Sequence, residues 1–168
     1  MPHEPTITPF RRALLGLTAQ TDVAVVRLAC ALARLGKGEL VAVHVVEVDW
    51  THDLSEDIAG HNEAAAAVLD RAEAIAEREG VTLRTELIQA RDVGAALVDE
   101  AAERDADQLI VGLPYRQKFG GDFAIGRTIP YILQNAPCSV MILRQPMGAQ
   151  DQKTPAEPAV AASGRAAF

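Results

Sequence analysis

Between residues 112 and 128 the chain gathers four glycines (Gly112, Gly120, Gly121 and Gly126), three cations (Arg116, Lys118 and Arg127) and the hydroxyl of Thr128. These residue types can cradle phosphate. Glycines let backbone N–H groups approach an anion closely, and an arginine can grip phosphate through two N–H groups at once. A helix starting after Gly126 would aim the positive end of its dipole at the same place. The connection from Leu113 to Gly126 is 14 residues long, whereas such connections usually run to about 2–6 residues and the long ones often carry function. Composition alone supports equally an exposed loop with solvated basic residues, and at this point both readings stand.

Covalent or acid–base catalysis has little material. His44 lies inside an apolar run and reads as a hydrogen-bonded core histidine, while His52 and His61 fall in or beside an irregular stretch and read as solvent-exposed. No Ser, His and acid combination, no phosphate-loop lysine followed by Ser or Thr, and no Cys/His cluster with zinc spacing is present. The chain is therefore not expected to be an enzyme, beyond slow, incidental ATP hydrolysis.

The elements that must position the loop follow from periodicity. Ala13–Leu17 reads as a buried strand ending in the turn Thr18-Ala19-Gln20. Thr21–Leu35 is apolar at helical spacing through Val25, Leu28, Ala29, Leu32 and Leu35, with Gly36 and Gly38 to stop it. Leu40–Val48 is apolar on both faces, as a strand inside a covered parallel sheet is. An irregular stretch, 49–62, precedes a helix over Glu63–Glu79 that carries Val68, Ala72, Ile75 and Ala76 on one face and stops at Gly80. Thr82–Gln89 alternates like an edge strand. Asp92 then caps a helix to about Arg104, with Val93, Leu97 and Ala101 inward. Strand Gln108–Gly112, helix Gly126–Asn135 and strand Ser139–Leu143 complete a βαβαβαβαβ order. Such alternation implies a five-stranded parallel sheet, doubly wound in three α/β/α layers. Ligands of open sheets of this kind bind beyond the carboxyl ends of the strands, where the winding reverses. If the first and fourth strands are neighbours, the Thr18 turn and the Gly112 loop face one another across a cleft.

Bulk properties narrow the class. The 168 residues suit one domain, and the 4% aromatic content requires an aliphatic core. A net charge of −7 argues against a nucleic-acid partner. No apolar run reaches the roughly 18 residues of a membrane helix, and the N-terminus carries no signal-peptide core, so direct membrane insertion is not expected and a cytoplasmic location is. Cys30 and Cys138 both sit in apolar runs and read as buried, unbridged thiols. Residues 1–10 read as an N-terminal arm and 11–145 as the α/β domain. Residues 146–168, rich in Ala and Pro, read as a disordered tail, or alternatively as a partner-binding one.

Several short motifs, in order and at compatible spacing over about residues 10–145, resemble the universal stress protein family. They are Val43-His44-Val45-Val46, the run Asp105-Ala106-Asp107-Gln108-Leu109-Ile110-Val111-Gly112, Gly126, and Ala136-Pro137-Cys138-Ser139-Val140. The resemblance implies strand order 3-2-1-4-5 and a C2 homodimer paired through strand 139–143. It also implies a regulatory domain that binds an adenine nucleotide. ATP-binding members carry G-x2-G-x9-G-[ST] in the long loop and an Asp at the end of the first strand. This chain keeps Gly112 and Gly126 but has Tyr115 at the second glycine position, one extra residue before Gly126, Arg127 (then Thr128) after it, and Thr18 in place of the Asp. The expected contacts are Leu17, Thr18, Val45, Val46, Gly112, Arg116, Gly126, Arg127 and Thr128. The expected ligand is ATP, AMP or a cyclic nucleotide, with Mg2+ only if ATP is bound. The alternative is a dimeric interaction module that has lost nucleotide binding and regulates a partner such as a membrane transporter.

Overall fold

The computed structural model describes residues 8–56, 60–114 and 125–145. Five parallel strands form one sheet: β1 (Arg12–Leu17), β2 (Glu39–Glu47), β3 (Leu83–Ala90), β4 (Gln108–Leu113) and β5 (Ser139–Arg144), in the order β3-β2-β1-β4-β5. Four helices join them: α1 (Val23–Gly36), α2 (His61–Arg78), α3 (Val93–Glu103) and α4 (Thr128–Asn135). The register sets Leu17 beside His44 and Gly16 beside both Val43 and Val111, so β1 lies at the centre.

Strand alternation divides the core in two. Leu15, Leu17, Ala42 and Ile110 pack beneath α1 and α2, with Val25, Ala29, Leu69 and Ile75. Leu14, Val41, Val43, Val45, Leu109 and Val111 pack beneath α3 and α4, with Leu97, Ile129 and Ile132. The three inner strands, β1, β2 and β4, therefore bury both faces, which explains their near-continuous apolar sequences, while the edge strands β3 and β5 are only partly covered.

Two of the helices, α1 and α3, begin where a side chain satisfies a free N–H group. Asp22 accepts from Ala24 N at 2.8 Å and Asp92 from Ala95 N at 2.9 Å. The first helix accordingly starts at Val23 rather than Thr21. Its expected inward face is corrected too: Leu28 and Leu35 are 38% and 78% exposed, while Val26, Cys30 and Ala33 take the buried positions. The last helix starts at Thr128 and not at Gly126, because Gly126 holds φ +76°, outside the helical region. Cys30 is buried and Cys138 only partly, and both are free thiols. Burial pushes both thiols above their usual range. Residues 1–7 of the expected arm and the expected tail, 146–168, lie outside the described residues.

At the opposite end of the sheet from the loop, Asp107 ties the start of β1 down. Its carboxylate accepts from Arg11 N at 2.9 Å and Arg12 N at 2.9 Å. Partial burial pushes the Asp107 carboxyl up, but these backbone donors and the Arg11 cation outweigh it and hold the group below its ordinary range. A carboxylate depressed in the folded state stabilises above its unfolded pKa, and that contribution is lost as pH falls through the folded value. Asp107→Ala is expected to cost about 1–2 kcal/mol at neutral pH, and the difference from wild type should shrink below about pH 4. Urea denaturation at pH 7 and at pH 3 measures it, and an equal difference at both would contradict the assignment.

Candidate functional site

The carboxyl ends of β1 and β4 are neighbours whose chains leave in opposite directions. The chain after β1 runs to α1 on one face, and the chain after β4 leads to α4 on the other. A crevice must open at this reversal, because no connection crosses it. It encloses about 490 Å³, within the roughly 300–1,000 Å³ of small-molecule sites. Gly16, Val45, Val111, Leu97 and Ile129 make an apolar floor, and Thr18, Gln20, Arg127 and Thr128 make a polar rim.

The structure brings most of the sequence-predicted contacts together here: Leu17, Thr18, Val45, Gly112, Gly126, Arg127 and Thr128 all line the crevice. Val46 does not. Side chains alternate along β2, so Val46 points to the opposite face and packs with Val48 and Ala65. Arg116 lies outside the described residues, as do Tyr115, Lys118, Gly120 and Gly121.

The β1 turn is fixed by its own threonines. Thr18 N donates to Thr21 Oγ1 at 2.8 Å, and Gln20 N donates to Thr18 Oγ1 at 3.2 Å. The Thr21 carbonyl accepts from an Arg71 guanidinium nitrogen at 3.1 Å, which ties the turn to α2. His44 is half-buried, with Nδ1 2.9 Å from the Leu17 carbonyl oxygen. A carbonyl only accepts, so Nδ1 carries the proton. This histidine holds the end of β1 in place, as a satisfied core residue does.

The two glycines expected to admit an anion have different reasons for being glycine. A Cβ on Gly112 would stand 3.0 Å from Val25 Cγ2, so Gly112 permits the close approach of α1 to β4. Gly126 would meet nothing within 4 Å, and its positive φ is what requires it. Gly16, which no motif marks, is the tightest point of the floor: its Cβ would stand 3.0 Å from Leu97 Cδ1 and 3.1 Å from Val111 Cγ1.

Arg127 is not held out toward a phosphate. It donates to Glu47 Oε1, and its Nε lies 3.9 Å from Asp92 Oδ2. The hydrogen bond and charge of Glu47, then the charge of Asp92, hold its guanidinium above the usual range. Neither acid is suggested by the loop's composition. The signals present in the sequence are an acid closing an apolar strand and an acid already assigned as a helix cap. Among the described residues no group of three or more His, Cys, Asp or Glu is placed to hold a metal ion.

The model of the universal stress protein family matches residues 9–144. The chain belongs to the universal stress protein family. Solved structures of the family share its fold. A universal stress protein from Archaeoglobus fulgidus aligns with a TM-score of 0.64 at 21% identity, over 78% of this chain and 91% of that one. A structure of the Archaeoglobus fulgidus universal stress protein in complex with dAMP aligns with a TM-score of 0.63 at 20% identity, over 78% and 95%. A universal stress protein in complex with cAMP aligns with a TM-score of 0.59 at 18% identity, over 80% and 96%. No curated protein matches the chain. As a universal stress protein it has the five-stranded parallel sheet of the fold, and Thr18 and Arg127 line its crevice.

Proposed function

We propose that this universal stress protein is a non-enzymatic regulatory protein that binds an adenine nucleotide in the crevice between the β1 turn and the N-terminus of α4. The observation that carries the proposal is the crevice itself: an apolar floor wide enough for a base, with a rim that ends at a helix N-terminus beside an arginine. The base would lie on Val45, Leu97 and Val111, with Thr18 at its edge. The phosphate would sit near Gly126, Arg127 and Thr128, where the free N–H groups of α4 point. The structures with cAMP and dAMP support this choice of ligand class. Mg2+ would enter only with ATP.

The protein is further proposed to act in the cytoplasm as a homodimer. Val140, Met141, Ile142 and Leu143 are only half-buried, and β5 is an edge of the sheet. An apolar edge strand needs a cover, and a second copy pairing with it supplies one. Among the described residues no helix is long and apolar enough to cross a membrane.

One observation favours a second reading. With Arg127 engaged by Glu47 and Asp92, the polar rim is complete without a ligand. The protein would then be a dimeric interaction module whose partner is another protein, a membrane transporter being one such partner.

A thermal-shift screen against adenosine, AMP, cyclic AMP, ADP and ATP separates the two. A ligand at about 100 times its dissociation constant stabilises by about 2.7 kcal/mol, which should raise the melting temperature by about 5–10 °C. At least one nucleotide is expected to give such a shift. No shift with any would leave the interaction module standing.

A further inference from the structure

Arg127, on the rim of the crevice, is held by two carboxylates beside it, and the net sign of this cluster bears on which nucleotide enters. Three elements contribute: Glu47 is the last residue of β2, Asp92 is the N-cap of α3, and Arg127 is the N-cap residue of α4. Asp92 divides its carboxylate, with Oδ1 accepting from Ala95 N at 2.9 Å while Oδ2 lies 3.9 Å from Arg127 Nε. Glu47 accepts from Arg127 directly. One positive and two negative charges leave these three side chains at −1 together. All are partly exposed, at 68%, 44% and 41% for Arg127, Glu47 and Asp92.

We propose that Glu47 and Asp92 act as a charge filter on the crevice, admitting adenine ligands of low negative charge and disfavouring polyphosphates. The proposal rests on the nucleotide reading above. An incoming phosphate meets an arginine that is already neutralised and a carboxylate in excess. The N-terminus of α4 offers roughly half a unit of positive charge, enough to offset about one phosphoryl oxygen. Each further phosphate adds negative charge that the carboxylates of Glu47 and Asp92 oppose. At the distances of a crevice mouth, in a partly screened medium, one excess unit charge changes affinity by about tenfold.

The test is isothermal titration calorimetry with adenosine, cyclic AMP, AMP and ATP, on wild type, E47Q, D92N and the double variant. Asparagine caps a helix as well as aspartate does, so D92N removes charge and keeps α3. In wild type, ATP is expected to bind about tenfold more weakly than cyclic AMP. E47Q should raise the ratio of ATP to adenosine affinity by about fivefold to tenfold, D92N by less and the double variant by most. The gain should shrink at high salt. Wild type binding ATP as tightly as cyclic AMP, or an unchanged ATP-to-adenosine ratio in E47Q, would overturn the charge filter and leave the nucleotide reading intact. Binding of no ligand by any of the four proteins would overturn both.

Discussion

Ile132→Ala is expected to lower the stability of the protein by about 2–5 kcal/mol, a large share of the roughly 5–15 kcal/mol that holds a domain folded. The reason lies in α4. It is eight residues long, it has no side-chain cap, and Pro130 stands in its first turn. Helices shorter than about 12–15 residues are marginal in water, so α4 exists because Ile129 and Ile132 are buried against the sheet. Ile132 is 0% exposed and has no room to be replaced by solvent. Leu133, one position along the same helix, is 59% exposed and should cost no more than about 0.5 kcal/mol as alanine. Urea denaturation of the two variants measures the contrast. Because α4 also carries Arg127 and Thr128, Ile132→Ala should weaken nucleotide binding along with stability. A loss below about 1 kcal/mol would mean that α4 is not held by this packing.

Gly16→Val should separate binding from folding. A first carbon on Gly16 already stands 3.0 Å from Leu97 and 3.1 Å from Val111, tighter than ordinary van der Waals contact. Two further methyl groups have only the crevice to enter. Overpacking of this kind costs about 1–3 kcal/mol, which leaves most of the protein folded. The loss of floor area beneath the base should cost more than about tenfold in nucleotide affinity. Calorimetry on the folded variant, checked by its melting curve, reads both. Nucleotide affinity equal to wild type would place the ligand elsewhere.

The order of elements was legible because strands with both faces buried are apolar throughout, and because Asp22, Asp92, Gly80 and the Gly36–Gly38 region punctuate the helices. The strand order came from the resemblance, and the sheet bears it out. Faces were harder to read. Leu28 and Leu35 fit a helical spacing, yet α1 turns its smaller residues, Ala29, Cys30 and Ala33, toward the sheet, and the two leucines stay outside. Val45 and Val46 are alike in sequence, and only the alternation along β2 decides which of them reaches the crevice.

The site was legible as a place rather than as a set of contacts. Winding reversal between β1 and β4 follows from the strand order, which the resemblance implies and the sheet shows. The partners of Arg127 do not follow, because Glu47 and Asp92 are 80 and 35 residues away in sequence and meet it only across three elements. The role of Gly16 is hidden for a related reason: its closeness to Leu97 and Val111 is a property of packing between strands and α3, and no local motif encodes it.

An adenine nucleotide in the crevice at the ends of β1 and β4 should perturb the amides that line it. The most direct measurement is a 15N–1H correlation spectrum of the full chain titrated with cyclic AMP. Amide shifts are expected to concentrate at Gly16, Thr18, Gly112, Gly126 and Thr128, while amides at the far end of the sheet, such as Arg12 and Asp107, stay in place. Shifts confined to β5, or a spectrum unchanged at saturating nucleotide, would contradict this placement.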